Sequence, residues 1–462
     1  MQAATISHQA LLIPCLILAS LISLIGQESC RIQVIDKQTK WPVPLVLLRT
    51  TGQVVYVTDN AGVVAFDQSE LMGQEVWLEI HSPGYGVPAD GFGNHGVRVT
   101  PKPGTTIIIP IERWSLAKRI GRLTGGGIFA ESQRFGDHQD WEETGIIGSD
   151  SVQCVPFGGE LLWLWGDSNV PGYPLGIFTS SGARSAIPKG EFLVPPLTLP
   201  LTYFRDAKGK PRGIAPLPGK GPTWIFGLIS LMDDNGKERI GGYYSKIEGM
   251  LDAYETGLTV WNNEQQQFER QRVVWERSAG KPRPKTVPDG QASLWHEAPG
   301  KSWLLFGNPF PNMRCEATFA AWSDPARWEA LTPQSHVVDA AGTKIIPHTG
   351  AIGWHPWRKR WVSVFMQRDG KSSSLGEIWY VESDLPTGPW GTAVKILSHD
   401  NYTFYNPRLH LDWTAAGSPQ LYFEGTYTTL FTNKQTPTPR YDYNQRLYRI
   451  DLDDPAFAVA KP

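Results

Sequence analysis

Two acidic side chains, Asp150 and Asp167, stand at the two ends of a mostly apolar stretch of the sequence. Asp150 precedes a strand-like run, 151–157, and Asp167 follows a second run, 161–165. Two carboxyl groups held close together disfavour simultaneous ionisation, so one of them keeps its proton more strongly than usual. Glycosidases use such a pair: one group protonates the leaving oxygen, and the other attacks or activates water. A cation site or a capped strand end is the alternative for these residues.

A tight turn between the two runs sets their register. Gly158 and Gly159 predict a two-residue hairpin turn, because both turn positions need positive φ. Phe157 then faces Glu160, and the same register places the two aspartates opposite each other. Directly opposed Cβ atoms lie about 4.5–5.5 Å apart. This narrow spacing is typical of glycosidases that retain the configuration of the sugar.

Strand–turn–strand units recur along the C-terminal part of the chain. The polar starts of three units, near Gly290, His348 and Asn406, are spaced by 58 residues, and the chain from Asp150 to Gly290 has room for two units. This repetition predicts an all-β fold with a five-bladed β-propeller of four-stranded sheets. In a propeller the innermost strands all start at one mouth of the axial channel. Polar side chains at these starts, and at the ends of the following strands, are therefore expected to converge.

Other candidates for the site come from the later units. Glu316 and Glu424 follow or end apolar runs and are candidates for a third catalytic acid, with an ion pair to Arg314 or Arg440 as the alternative. Tyrosines could stack on sugar rings, or they could pack between blades. The candidates for substrate binding are Arg314, Tyr405, Asn406, Arg408, Tyr427, Arg440 and Tyr441.

Composition narrows the classes of function. The chain has 462 residues, a formal net charge of -2, 11% aromatic residues, 47 Gly and 37 Pro. Without a basic excess, nucleic acid is not an expected partner. The frequent turn residues and aromatics favour short strands.

We find no CxxC, HExxH or P-loop pattern, so we predict no metal ligand and no cofactor, apart from room for a structural Ca²⁺ at the propeller axis. Three cysteines follow the N-terminal segment and do not make a disulfide framework, so Cys154 and Cys315 are predicted to be small buried residues.

The N-terminal segment predicts export. Residues 10–26 are apolar and uncharged, which indicates a signal peptide at residues 1–29, with a retained anchor as the alternative. Residues 30–112 contain short alternating strands and predict a small β-sandwich. Residues 113–462 are assigned to the propeller. We therefore expect a secreted, periplasmic or cell-envelope protein, monomeric, with no membrane contact beyond this segment.

Both predicted domains resemble known families. The pattern of residues 30–112, with a TD..G turn, resembles carboxypeptidase regulatory-like, prealbumin-like domains, and that resemblance implies a spacer or adhesion module without chemistry. The segments GSDSVQ, WGDSN and YPLG make the propeller similar to glycoside hydrolase family 43 and to domain-of-unknown-function family 4185. The resemblance implies action on arabinan-type glycans and a catalytic role for Asp150 and Asp167. Family 43 enzymes also place acids on three separate blades.

The sequence thus predicts a glycan-active propeller that hydrolyses glycosidic bonds of a poly- or oligosaccharide. A non-catalytic carbohydrate-binding or cell-surface propeller is one alternative, because fold alone does not establish function. A polysaccharide lyase is another, in which Arg314, Arg408 and Arg440 would neutralise a uronate.

Overall fold

The structure, a computed structural model, describes residues 29–249, 251–433 and 436–461. The chain divides into two compact units, Met1–Arg113 with Phe129–Trp141 and Trp114–Ile128 with Glu142–Pro462. Apart from Ser29, the predicted signal peptide lies outside the described residues. Within the described ranges, no helix combines the length and the apolar character that crossing a membrane requires.

The first unit contains the predicted β-sandwich. Its strands are β1 (Cys30–Asp36), β2 (Leu47–Thr50), β3 (Val55–Val57), β4 (Val63–Phe66), β5 (Val76–His81), β6 (Tyr85–Gly86), β7 (Gly96–Val99) and β8 (Thr106–Arg113). They form two four-stranded sheets, with the orders β4-β1-β8-β6 and β3-β2-β5-β7. Along β1 buried and half-buried residues alternate, as expected for a strand with one face on a core. Val34, Leu48 and Leu78 belong to that core.

One segment expected in the propeller belongs to this first unit instead. Phe129–Trp141 contains the short helix Ala130–Gln133. The backbone N–H of Ser132 donates to Asp59 Oδ2 at 2.7 Å, and Glu131 Oε2 accepts the N–H of Ala65 at 3.1 Å. These hydrogen bonds attach the segment to the sandwich. No local sequence pattern predicts them.

The second unit is built almost entirely of strands. In chain order they are β9 (Lys118–Arg122), β10 (Gly148–Ser149), β11 (Gln153–Phe157), β12 (Glu160–Leu164), β13 (Ser168–Val170), β14 (Tyr173–Ile177), β15 (Gly182–Ser185), β16 (Thr202–Tyr203), β17 (Thr223–Met232), β18 (Glu238–Glu248), β19 (Asp252–Asn262), β20 (Gln267–Glu276), β21 (Gln291–Ala298), β22 (Lys301–Gly307), β23 (Pro311–Glu316), β24 (Glu329–Ala330), β25 (Val337–Asp339), β26 (Lys344–Ile345), β27 (Pro347–His355), β28 (Arg360–Gln367), β29 (Glu377–Ser383), β30 (Thr392–Ser398), β31 (Thr403–His410), β32 (Gln420–Thr428) and β33 (Asn444–Asp451). A second short α-helix spans Phe319–Trp322. Short 3₁₀ turns in the chain span Ser69–Leu71, Gly190–Leu193, Arg277–Ala279, Pro325–Arg327, Leu411–Trp413 and Pro455–Ala460.

These strands form five antiparallel blades. Their orders are β11-β12-β15-β16, β17-β18-β19-β20, β21-β22-β23-β24, β27-β28-β29-β30 and β31-β32-β33-β9. Strands β25 and β26 extend blade four, and β10, β13 and β14 form a small separate sheet. The first strands of successive blades contact one another. The all-β, five-bladed propeller is therefore confirmed.

The ring closes in two ways. Strand β9, from the start of the unit, pairs with β33 and completes blade five. Blade five also returns to the segment before β11, where Asn406 Nδ2 donates to Ser151 Oγ at 2.7 Å. We call the end at which β11, β17, β21, β27 and β31 begin the strand-start end, and the opposite end the far end.

The three described cysteines, Cys30, Cys154 and Cys315, are buried and free. The prediction that Cys154 and Cys315 are small buried residues is therefore confirmed.

Candidate active site

The glycine turn has the predicted conformation. Gly158 and Gly159 have φ values of 60° and 84°. Strands β11 and β12 pair with Phe157 opposite Glu160 and Gln153 opposite Leu164. The predicted register of the hairpin is therefore confirmed.

The same register continues to the open end of the hairpin. Asp150 N donates to the carbonyl of Asp167 at 3.2 Å, and Gly166 N donates to the carbonyl of Asp150 at 2.8 Å. Just beyond, Ser149 pairs with Ser168. The two aspartates thus lie opposite each other at the strand-start end, as predicted.

Asp150 is surrounded by hydrogen-bond donors. Tyr405 Oη donates to Asp150 Oδ2 at 2.5 Å, and the backbone N–H of Asp167 donates to Oδ1 at 2.8 Å. Burial raises the pKa of Asp150 above its usual value, and these bonds and the Tyr443 hydroxyl only partly oppose that rise. Burial also raises the pKa of Tyr405 and Tyr443, so both phenols stay protonated and act as donors. Donors of this kind favour the ionised form of a carboxyl group.

Asp167 has a poorer environment for a charge. The indole of Trp224 donates to Asp167 Oδ1 at 3.2 Å. Burial, and then the charge of Asp150, raise the pKa of Asp167 to about 7. The pair is therefore asymmetric: Asp150 has the hydrogen bonds that favour an ionised carboxyl group, and Asp167 keeps a proton up to about neutral pH. Environments that separate two carboxyl groups in this way mark an acid and its partner.

Backbone strain concentrates around the pair. Ser151, Asn406 and Tyr443 have φ values of 52°, 51° and 58°, in the left-handed region that residues other than glycine rarely adopt. Each such residue costs of order 1–3 kcal/mol and persists where its surroundings enforce it. Here Ser151 N donates to Thr426 Oγ1 at 3.0 Å, and Asn406 binds Ser151. Strain from three separate segments at one carboxylate indicates a functional site.

The segment that carries Tyr443 is tightly anchored. Thr438 N donates to Tyr402 Oη at 2.6 Å, and Asp442 Oδ1 accepts the N–H of Thr429 at 2.6 Å. This anchoring presents the Tyr443 hydroxyl to Asp150 in a fixed position.

Two predicted sugar-binding tyrosines are instead part of this anchor. Tyr427 is buried and stacks on Tyr402 with ring centroids 3.9 Å apart. Tyr441 is also buried, and the guanidinium of Arg446 lies 3.2 Å from the ring centroid of Tyr427 and 4.9 Å from that of Tyr441. Because neither ring is accessible, the expectation that they bind sugar is wrong. Their packing, the alternative, is what the structure shows.

Glu316 and Arg314 lie away from the pair. Both are on β23, the third strand of blade three, and Glu316 ends it. Strand β23 runs in the same direction as β21, so its last residue is at the far end of the propeller. Glu316 forms an exposed ion pair with Arg327, and Arg314 binds Glu329 at 2.8 Å. Glu316 and Arg314 are therefore not brought together with Asp150 and Asp167, because the direction of β23 places Glu316 at the opposite end of the propeller.

Glu424 and Arg408 are used inside the propeller. Glu424 has no exposed surface, and its Oε1 lies 2.6 Å from His410 Nε2. Arg408 donates to Gln291 Oε1 at 2.6 Å and to the carbonyl of Cys154. A fully buried Glu424 cannot reach a glycan, so the expectation that it donates the proton is wrong, and Arg408 joins blades rather than facing a ligand.

Arg440 lies in the loop before β33. Its carbonyl accepts a hydrogen bond from the guanidinium of Arg122, and its side chain is exposed. The three arginines required by a lyase are thus distributed over different parts of the fold: Arg314 at an exposed ion pair, Arg408 between blades and Arg440 in this loop.

Several residues of the site escaped the sequence prediction. Tyr443 and Trp224 are among them. Asp289 is a further acid at the strand-start end, where it precedes β21 as Asp150 precedes β11. Gly290 N donates to Asp289 Oδ1 at 2.7 Å, and burial raises the pKa of this carboxyl group. The blade repeat was the signal that could have identified Asp289 as a third acid at the strand-start end.

Among residues 29–249, 251–433 and 436–461, no three His, Cys, Asp or Glu side chains come close enough together to hold a metal ion. Beside Tyr405 lies the ring of Phe431, 57% exposed, with a centroid separation of 6.2 Å.

Gly166 makes room for the Asp150 carboxyl group. A Cβ atom at this position would lie 2.5 Å from Asp150 Oδ1. We expect Gly166→Ala to displace the carboxylate from its donors and to lower kcat on a cleaved glycan by about 10- to 100-fold. Gly172→Ala is the matched control, because a Cβ there meets no atom within 4 Å. Equal activity of both variants would contradict this role of Gly166.

Comparisons with known proteins show the following. No family model matches the chain, and no curated protein matches it. An exo-1,5-alpha-L-arabinanase from a bovine ruminal metagenomic library is a similar solved structure, with 14% identity over 67% of this chain and 94% of that chain and a TM-score of 0.40. An arabinanase from Bacillus subtilis has 12% identity over 65% and 93%, with a TM-score of 0.35. A glycoside hydrolase, family 43 protein from Bacillus licheniformis has 12% identity over 66% and 71%, with a TM-score of 0.38.

Proposed function

We propose that this protein hydrolyses glycosidic bonds of a poly- or oligosaccharide at Asp150 and Asp167. The observation that supports this most is the asymmetry of the opposed pair: one carboxyl group has tyrosine and backbone donors, and the other has a pKa of about 7. A glycosidase needs both a charged and a protonated carboxyl group at the scissile bond.

The environments assign the roles. Asp167, protonated below its pKa of about 7, donates a proton to the leaving oxygen. Asp150, ionised, attacks the anomeric carbon or activates water. Tyr405 and Tyr443 fix the orientation of Asp150, and their hydroxyls, with raised pKa values, do not act as nucleophiles.

A non-catalytic carbohydrate-binding propeller is the second candidate. The exposed rings of Phe431 and Phe178, 57% and 46% accessible, support it, because flat open rings are suited to stacking on sugars. Phe178 lies near Trp224 in the fold, since its carbonyl accepts the N–H of Thr223. A binding module would retain its glycans and release no reducing ends. A lyase receives no support, because the three arginines it needs do not cluster.

The test is digestion of a panel of polysaccharides, arabinans included, by the wild-type protein and by Asp150→Asn and Asp167→Asn. The proposal expects new reducing ends with the wild type and their loss in both variants. Retention of a glycan without cleavage by all three proteins would favour the binding module. Release of unsaturated sugars, which absorb in the ultraviolet, would instead indicate a lyase.

The pH dependence tests the role of Asp167. A general acid must be protonated to donate its proton, so kcat/KM is expected to fall as the pH rises through about 7. This fall is the alkaline limb of the pH profile. The Trp224 hydrogen bond favours the ionised form of Asp167, so Trp224→Phe should raise the pKa and move this limb to higher pH by about 0.5–1 unit. Trp354→Phe, at an exposed ring near the end of β27, is the control and should leave the limb in place. A limb unmoved by Trp224→Phe would contradict the assignment.

Export is a further part of the proposal. The uncharged apolar run of residues 10–26 supports a signal peptide or retained anchor, and a secreted or cell-envelope location. In this setting the β-sandwich would serve as a spacer or adhesion module. N-terminal sequencing of the protein recovered from outside the cytoplasm should show a mature chain that begins between residues 27 and 30.

A further inference from the structure

Two nitrogen-containing side chains, His348 and Arg368, lie at the strand-start end of blade four. His348 is near the start of β27, and Arg368 directly follows β28. Arg368 N donates to the carbonyl of Ile346 at 2.8 Å, so the end of β28 lies beside the start of β27. Arg368 follows the second strand of blade four, as Asp167 follows the second strand of blade one.

In the described part of the chain, both side chains have nitrogen atoms without a protein hydrogen-bond partner. The Nδ1 atom of His348 is buried and has no hydrogen-bond partner among the described residues. Burial and the nearby charge of Arg368 lower the pKa of His348, so its imidazole is neutral. The guanidinium of Arg368 is exposed and makes no hydrogen bond or ion pair within the described part of the chain. A buried nitrogen without a partner carries a free-energy cost, which a bound ligand can remove.

This pair is connected to the acidic pair through one residue. Asn406 N donates to Thr349 Oγ1 at 3.2 Å, and Asn406 Nδ2 donates to Ser151 Oγ at 2.7 Å. Thr349 follows His348, and Ser151 follows Asp150. Asn406 therefore links the segment that carries His348 to the segment that carries Asp150.

We propose that His348 and Arg368 bind the carboxylate of a uronic acid in the glycan, so that the preferred substrate is an acidic polysaccharide. A guanidinium matches the planar carboxylate with two parallel N–H donors, and a neutral imidazole adds a third. Placement on blade four keeps the carboxylate of the substrate away from the charge on Asp150, which would repel it. The inference rests on the proposed function, because it concerns the same glycan at the same end of the propeller.

Asp369, next to Arg368, opposes this preference. Its exposed carboxylate also acts electrostatically on His348. Asp369→Asn should therefore strengthen binding of an acidic glycan, whereas Arg368→Gln should weaken it. Opposite effects of neighbouring substitutions are not expected from a loss of folding.

The experiment compares uronate-containing polysaccharides with the same material after chemical reduction of the carboxyl groups to alcohols. Binding is measured by affinity gel electrophoresis, and cleavage by release of reducing ends, with the full-length protein. We expect the wild type to prefer the acidic form, and Arg368→Gln to reduce the ratio of acidic to reduced binding by about tenfold, the effect of one charge-assisted pair. Arg360→Gln, at the other end of β28, is the control and should keep the ratio.

The outcomes separate this inference from the proposed function. Cleavage without preference for the acidic form, or an equal ratio in Arg368→Gln and the wild type, overturns the uronate inference and leaves the hydrolase intact. Preferential binding that depends on Arg368, without cleavage, supports the inference and overturns the hydrolase. If the protein neither binds nor cleaves any polysaccharide, both the uronate inference and the proposed hydrolase function are overturned.

Discussion

Asp150→Asn is expected to lower kcat by about 1,000-fold on any glycan that the wild-type protein cleaves. The amide keeps the shape of the side chain but removes the negative charge that attacks the sugar or activates water. It also removes the charge that raises the pKa of Asp167. The remaining activity of the variant should therefore begin to fall at a lower pH than the activity of the wild type does. Initial rates of reducing-end release over a range of pH measure both effects.

Asp233→Asn is a suitable control for this substitution. Asp233 lies in the turn between β17 and β18 at the far end, where its Oδ1 accepts the N–H groups of Asn235 and Lys237. Its removal affects a local turn and should not change kcat. Thermal unfolding of both variants shows whether each is folded. If Asp150→Asn and Asp167→Asn both cleave as the wild type does, the catalytic assignment is wrong.

Glu424→Gln is expected to remove a large part of the pH dependence of stability. Burial raises the pKa of Glu424 from 4.5 to about 8 in the folded protein. The unfolded chain therefore ionises this group at lower pH than the folded protein does. The stabilisation is fully present below pH 4.5 and is lost as the pH rises towards about 8. We expect the free energy of unfolding of the wild type to fall between pH 5 and pH 8 by about 3 kcal/mol more than that of the variant.

Urea unfolding of both proteins at the two pH values measures this difference. Glu382→Gln is an informative control, because Glu382 is also fully buried but lies 2.5 Å from the Arg358 guanidinium. Loss of that partner leaves the largely buried Arg358 guanidinium without its carboxylate, so Glu382→Gln should destabilise the protein by about 3–5 kcal/mol. An identical pH dependence in the wild type and Glu424→Gln would show that Glu424 does not titrate in this range.

Local patterns in the sequence were sufficient for the framework of the site. The Gly158–Gly159 turn sets the pairing of adjacent strands, and the opposition of Asp150 and Asp167 follows from it. The spacing of the repeated units was sufficient for the number of blades. Both features depend on interactions between residues that are near each other in the chain, so the residue types carry the information.

Contacts between segments that are distant in the chain could not be predicted from local sequence patterns. Tyr405 reaches Asp150 across 255 residues, and it does so only because blade five closes the ring beside blade one. The pairing of β31 with β32 is also interrupted between Tyr405 and Arg408, where Asn406 has a left-handed backbone. Such a bulge redirects the side chains that follow it, and alternation along the strand no longer predicts where they point.

The sequence by itself thus determined the hairpin, its two opposed acids and the five-bladed repeat. Only the tertiary structure decided which other side chains join the acids. It brought Tyr443 and Trp224 to the pair, turned Glu316 to the far end and enclosed Glu424 with His410. The physical reason is that a turn acts between neighbours in the chain, whereas burial and charge at a site are set by every segment that ring closure packs against it.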